Sequence, residues 1–333
     1  MPTGREPDPF LDTFTGLIAA RAVTTAAILG VFEALHERPC SAAELAERLR
    51  LDPLGAEVLL TALTTLGYLE SQDGGVCNSP VTERLLVRSS PESIATFAGP
   101  QGDLHWQVLD LLPDAIRSGR RYAMHDERHG EGDRWDAYIR GLYEISRPEH
   151  DANAALVPIE DPRRLVDVAG GHAAFSMAMC RRHSALAATV IDLRPSVAVG
   201  RRIVAEEGYA DRVSFREGDV FDVGLGEDID VVSIFNLVHH LPEERDRELC
   251  RMAGEALRPG GCLVIGDSAR PEPGEPVSEH GAISSLLFYA WSHSRNFTPS
   301  EIRAWMEEAG FRDVSTHRNE RSPWRVVMVA QRP

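Results

Sequence analysis

The spacing of apolar residues changes partway along the chain. From residue 10 to 36 they fall at helical intervals (Phe14, Leu17, Ile18, Ala22, Ile28, Leu29, Phe32, Leu35), which predicts one long helix or two short ones. Ser41 with Glu44 three residues on is a capping-box pattern, so a helix is expected over 42–49. Asp52-Pro53 opens another that runs through Leu59, Leu60, Leu63 and Leu66 to Gly67. Tyr68-Leu69-Glu70 and Val76-Cys77-Asn78 flank Gln72-Asp73-Gly74-Gly75, a hairpin signal. Helix, turn, helix and hairpin make a winged-helix pattern over about residues 10–100. Residues 101–157 predict connecting helices. One carries an apolar face at Leu104, Val108, Leu112 and Ile116, and another at Trp135, Tyr138, Ile139, Leu142 and Tyr143.

Beyond Arg164 short apolar runs alternate with helical patterns. Strands are expected at 165–168, 188–193, 213–217, 229–237, 262–267, 314–317 and 325–330. Helices are expected at about 174–183, 196–208, 243–257 and 298–310. This alternation over 158–333 predicts an α/β fold with a doubly wound, mostly parallel sheet. The last two strands can pair as a hairpin and add an antiparallel member.

Charge narrows the function. The 333 residues carry a net charge of −16 and no lysine. Schiff-base chemistry on lysine and a P-loop lysine are therefore excluded. The presumed recognition helix of the winged-helix pattern, 54–65, has no basic residue and offers neither Asn nor Gln to base edges. It suits a protein–protein interface better than DNA, and a homodimer through this domain is expected, with no nucleic-acid partner. No apolar run reaches the length of a membrane span and the N-terminus lacks a secretory pattern, so a cytoplasmic protein without a membrane partner is expected. Cys40, Cys77, Cys180, Cys250 and Cys262 form no C-x-x-C pair and read as buried thiols.

In a doubly wound sheet ligands bind at the carboxyl ends of the strands. The first strand ends in Asp167 and runs into Val168-Ala169-Gly170-Gly171-His172-Ala173. The second ends in Asp192, placed to accept from ribose hydroxyls. The third ends in Gly218-Asp219-Val220-Phe221, a carboxylate for an exocyclic amine with apolar neighbours for a base. The fourth ends in Asn236-Leu237-Val238-His239-His240, the fifth in Gly266-Asp267.

These segments, with Leu257-Arg258-Pro259-Gly260-Gly261, resemble the ordered motifs of class I S-adenosylmethionine-dependent methyltransferases. With the acidic winged-helix front, residues 10–332 resemble the small-molecule O-methyltransferases of plants and bacterial secondary metabolism, which have a Rossmann-like sheet and dimerise through the N-terminal domain. The resemblance implies an enzyme that methylates a hydroxyl or enol oxygen of a small molecule. Asp192 would hold the ribose of S-adenosylmethionine, Asp219, Val220 and Phe221 would frame the adenine, and Asp167, Gly170, Gly171 and Asn236 complete the expected cofactor set. His239 falls on the family's catalytic base, a role suited to an imidazole. Asp267 falls on the carboxylate that steadies it, while His240-Leu241 replaces the usual Asp-Trp. Trp106, Tyr143, Phe288, Trp291 and Arg295 are the expected substrate contacts, with Phe97, Trp135 and Tyr138 as further aromatic candidates and Arg120, Arg121 and Arg128 as further anchors for an acidic substrate.

A second resemblance, to 2-oxo acid C-methyltransferases of the phenylpyruvate type, implies that His239, His240 and His293 hold Fe, Zn or Ni, which would favour the substrate's enolate. A relative that binds S-adenosylmethionine without transferring methyl is the remaining alternative. In the glycine loop, Ala169 and Ala173 stand where the family has glycine. Ala169 is tolerable if its φ is negative, Ala173 is the sharper test, and Gly170 and Gly171 are expected to approach the cofactor most closely.

Overall fold

A computed structural model describes residues 8–72, 74–125, 132–275, 279–319 and 322–333. The chain divides into two compact units, one ending at Leu104 and the other beginning at His105.

In the first unit the long apolar pattern forms two helices, Pro9–Leu29 and Val31–Glu37. Gly30 breaks them at φ +77°, a left-handed turn that glycine adopts without a Cβ penalty. Ser41 and Glu44 form the expected capping box on the helix Ala42–Leu49, and Asp52 caps Pro53–Thr65 by accepting from Gly55 N at 2.7 Å. The hairpin pairs β1 (Leu69–Gln72) with β2 (Gly75–Asn78). Phe32, Leu35, Leu45, Leu60, Leu63 and Leu69 are its buried centre. Leu11, Phe14, Leu17 and Ile18 of the first helix remain exposed. No single helix among the described residues is long and apolar enough to cross a membrane, although the first two helices pass that test as a pair bent by 60°.

The second unit holds a seven-stranded sheet. Its strands are β3 (Arg164–Val168), β4 (Ala187–Asp192), β5 (Val213–Glu217), β6 (Ile229–Phe235), β7 (Leu257–Ser268), β8 (Arg312–Asn319) and β9 (Ser322–Gln331), in the order β5-β4-β3-β6-β7-β9-β8. The first five run parallel; β9 is antiparallel to both β7 and β8. β6 is buried along its whole length, as a strand covered on both faces must be. Strand order reverses between β3 and β6, which opens a crevice at their carboxyl ends. β7 begins five residues earlier than its apolar run suggests: Pro259-Gly260-Gly261 lie within it, and the pairing with β6 shifts register between Ile229 and Val231. The helix Asp133–Ala155 belongs to this unit, and so does Glu279–Ser292, which the apolar pattern does not reveal. Cys40, Cys180, Cys250 and Cys262 are buried free thiols, and Cys77 is half-buried.

Candidate active site

The turn after β3 is held by side chains on both sides. Asp167 accepts from Ser176 Oγ and Ser233 Oγ, each at 2.7 Å, so both carboxylate oxygens are engaged. Burial pushes its pKa up to about 6 against the pull of those hydroxyls. Gly170 lies against this carboxylate: a Cβ there would stand 2.5 Å from Asp167 Cγ. Gly171 N donates to Asp192 Oδ2 at 2.8 Å, and Leu193 N donates to the other oxygen at 2.7 Å, tying the ends of β3 and β4 together. Burial raises the Asp192 pKa to about 6 as well.

This frame forces the turn geometry despite the missing glycines. Ala169 has φ +51° and Ala173 φ +60°, both left-handed. The condition set for Ala169, a negative φ, is not met. Ala173 is fully buried at the start of the helix Ala174–Arg182 and is not on the cavity wall, whereas Ala169 is. Ala169 is therefore the sharper departure. The left-handed region costs an alanine about 1–2 kcal/mol, and glycine returns part of that as chain entropy. We expect Ala169→Gly to stabilise the protein by about 0.5–1 kcal/mol, read as a higher urea midpoint. Ala173→Gly should gain much less, because it also loses a buried methyl.

The loop borders a cavity of about 310 Å³ at the switch point between β3 and β6. Among the expected cofactor residues, Asp167, Gly170, Gly171, Asp192, Asp219, Val220, Phe221 and Asn236 all line it. Asp219 accepts from Phe221 N at 2.9 Å and so starts the short helix Val220–Val223. The Arg245 guanidinium lies 3.5 Å over the Phe221 ring. Arg325 Nη2 donates to Asn236 Oδ1 at 3.0 Å.

The histidine pair sits on a 3₁₀ turn, Val238–His240, after β6. His239 Nδ1 and Asp267 Oδ1 share a short hydrogen bond, and both residues are buried. Phe288 stacks on His239 with centroids 3.7 Å apart, and His240, not His239, lines the cavity. His240 Nδ1 lies 2.6 Å from Ser292 Oγ. Burial, with His239 and His125 beside it, holds the His240 pKa well below 6.5, so this imidazole is neutral. His125 packs edge-on against His240 at 4.7 Å and lines the same cavity. Nothing in the sequence marked it, because it lies in a polar stretch with no periodicity.

Several expected substrate contacts are elsewhere. Phe288 covers His239 instead of reaching the cavity. Trp291 is buried behind the cavity wall, against His105, His125 and Tyr138. Tyr143 packs on His172 at 5.9 Å. Arg295 pairs with Glu301 at 3.0 Å and covers Phe297. Trp106 is half-buried and is not among the lining residues. Phe97 lies in the first compact unit. Arg120 lies 3.9 Å from Asp114, Arg121 does border the cavity, and Arg128 is outside the described residues. Trp135, Tyr138 and Leu142 supply the aromatic and apolar wall.

Of the three proposed metal ligands, His239 and His240 lie with ring centroids 4.2 Å apart, and His293 does not join them. His293 is exposed, in a left-handed conformation (φ +58°), with its ring beside Tyr289 and Gly119. Among the described residues no three His, Cys, Asp or Glu side chains gather as a metal ligand set. The residues do not fit an ion held by His239, His240 and His293.

The fold agrees with that of known proteins. A family model for the O-methyltransferase domain matches residues 112–312, and one for the O-methyltransferase dimerisation domain matches residues 11–88. The chain is 30% identical to 3-hydroxy-5-methyl-1-naphthoate 3-O-methyltransferase of Streptomyces sahachiroi, over 95% of this chain and 93% of that one. It is 27% identical to the tetracenomycin polyketide synthesis 8-O-methyl transferase of Streptomyces glaucescens, over 94% and 93%. The structure of human N-acetylserotonin methyltransferase in complex with S-adenosylmethionine superposes with a TM-score of 0.87 at 20% identity, covering 100% of this chain and 99% of that one. The chain belongs to the O-methyltransferase family and is an S-adenosylmethionine-dependent methyltransferase.

Proposed function

We propose that this enzyme methylates a hydroxyl or enol oxygen of a flat, largely apolar small molecule of secondary metabolism, with His239 as general base. The observation that carries the base assignment is the His239–Asp267 pair at the carboxyl ends of β6 and β7. S-adenosylmethionine, when bound, supplies an electrophilic sulfonium methyl. Asp192 would accept from the ribose hydroxyls, and Asp219, Val220 and Phe221 would border the adenine. Asp267 occupies Nδ1 of His239, which leaves Nε2 to take the acceptor's proton. As the imidazolium forms, the adjacent carboxylate holds its charge. Trp135, Tyr138 and Leu142 favour a planar acceptor, and the neutral His240–Ser292 pair offers it a polar contact.

His240 is the second candidate base, because it borders the cavity directly. Its weakness is chemical: its lowered pKa makes it a poor proton acceptor, and its hydrogen-bonded neighbour is a neutral hydroxyl. The exposed apolar residues of Pro9–Leu29, with the match to the dimerisation domain, support a homodimer. The test of function is S-adenosylhomocysteine release with a panel of phenols, naphthols and enolisable 2-oxo acids, followed by mass and NMR analysis of the product. An O-methyl product supports the reading; no turnover across the panel, or a C-methyl product, overturns it.

A further inference from the structure

His150 is 1% exposed on the helix Asp133–Ala155, yet it forms part of the cavity wall. Its ring is held edge-on by Phe235 at 4.9 Å and by Phe175 at 5.7 Å. Nδ1 lies 3.5 Å from Asn153 Nδ2, an amide that can only donate, so Nδ1 is the acceptor. Burial keeps the ring neutral, with His172, Arg325 and Arg181 acting in the same direction. The single ring proton therefore resides on Nε2, and Nε2 has no hydrogen-bond partner among the described residues. A buried donor left unpaired in a cavity wall calls for an acceptor from whatever fills the cavity.

We propose that His150 is a cofactor-binding residue whose Nε2–H donates to the α-carboxylate of the methionine part of S-adenosylmethionine. The proposal rests on reading the cavity as the cofactor chamber. Asp192 at the end of β4 would account for the ribose and Asp219, two residues beyond β5, for the adenine, so the amino-acid end extends the other way, past Gly170 toward β6. Phe235, the last residue of β6, is the ring against which His150 is packed. Two polar groups remain at that end of the cofactor. The ammonium only donates and cannot pair with an N–H, whereas the carboxylate accepts. Arg325, paired with Glu149 at 3.4 Å, still acts on His150 in the direction that favours an anion, while the Asp167 carboxyl, also on the wall, favours the ammonium.

The test compares two nucleosides by calorimetric titration of the full chain. S-adenosylhomocysteine carries the amino acid; 5′-methylthioadenosine keeps the adenosine and thioether and lacks it. His150→Phe is expected to weaken S-adenosylhomocysteine about tenfold, the order of one hydrogen bond to a charged group, and to leave methylthioadenosine unchanged. His150→Gln, which restores an N–H donor, should recover part of the loss. The phenylalanine variant removes the unpaired Nε2–H but also the acceptor of Asn153 Nδ2, so a modest fall in its ligand-free melting temperature is expected and the comparison of the two nucleosides carries the test. An equal loss for both nucleosides, or no loss for either, overturns the proposal and leaves Nε2 to an ordered water. If wild-type protein binds neither nucleoside, the cofactor reading itself fails, and the proposal with it.

Discussion

Replacing His239 with alanine is expected to lower kcat by about 10²–10⁴-fold, the usual worth of a positioned general base, with S-adenosylhomocysteine affinity little changed. The affinity should hold because His239 is not among the cavity-lining residues. The comparison that gives this result force is His240→Ala. If His239 is the base, the His240 variant keeps most of kcat and raises KM, since it removes only a polar contact to the acceptor. Asp267→Asn should follow the His239 variant in direction, because the amide leaves the imidazolium without a counter-charge. The opposite pattern, with His240→Ala abolishing turnover and His239→Ala mild, assigns the proton to the imidazole on the cavity wall. Phe288 makes the contrast sharper. It stacks on the face of His239, so Phe288→Ala should alter access to the base without altering the His239–Asp267 pair. Single-turnover kinetics at saturating cofactor separate that effect from acceptor binding.

What the sequence reveals and what it hides follow from different physics. The sheet was legible because a strand buried on both faces is a short apolar run, and because the alternation of strand and helix leaves few topologies. The carboxylates at the strand ends were legible for the same reason: Asp167, Asp192 and Asp219 lie at the ends of their runs, and a parallel sheet sends all those ends to one edge. Side-chain direction around a turn was not legible. His239 and His240 are neighbours in sequence on a 3₁₀ turn, yet one meets Asp267 and the other meets Ser292. His293 was expected to cross the pocket, but a positive φ at the end of its helix turns it toward Gly119. Helical registers were equally hidden. Phe288, Trp291 and His150 lie on helices whose rotation is set by packing, so a list of aromatic residues could not say which would face the cavity. The loop alanines show the converse. The sequence makes Ala169 tolerable at a negative φ, but the Asp167–Ser176–Ser233 and Gly171–Asp192 hydrogen bonds hold a left-handed turn, and the alanines carry the strain.

Asp246 is expected to make the wild-type enzyme lose stability as pH rises, and Asp246→Asn to remove that loss. The residue lies on the helix Glu243–Ala256, is 1% exposed, and neither carboxyl oxygen has a hydrogen-bond partner among the described residues. Burial, together with the negative Asp267 and Glu243, pushes its pKa up to about 9. The carboxyl is therefore protonated in the native state across the neutral range. In the unfolded chain it ionises near pH 4. Between about pH 4 and pH 9 the native state holds one more proton than the unfolded state, so each pH unit costs the native state about 1.4 kcal/mol. Over the three units from pH 5 to pH 8 the difference between Asp246→Asn and wild type should grow in the variant's favour by about 4 kcal/mol. Urea titrations at pH 5, 6.5 and 8 measure it. Asp167 and Asp192, also raised, titrate in both proteins, so their contributions largely cancel in the difference. An asparagine left with an unpaired amide shifts all three points equally and leaves the slope intact. A difference that stays flat from pH 5 to pH 8 means that Asp246 ionises in the folded enzyme, and that the charge behind Asp267 is larger than a neutral carboxyl allows.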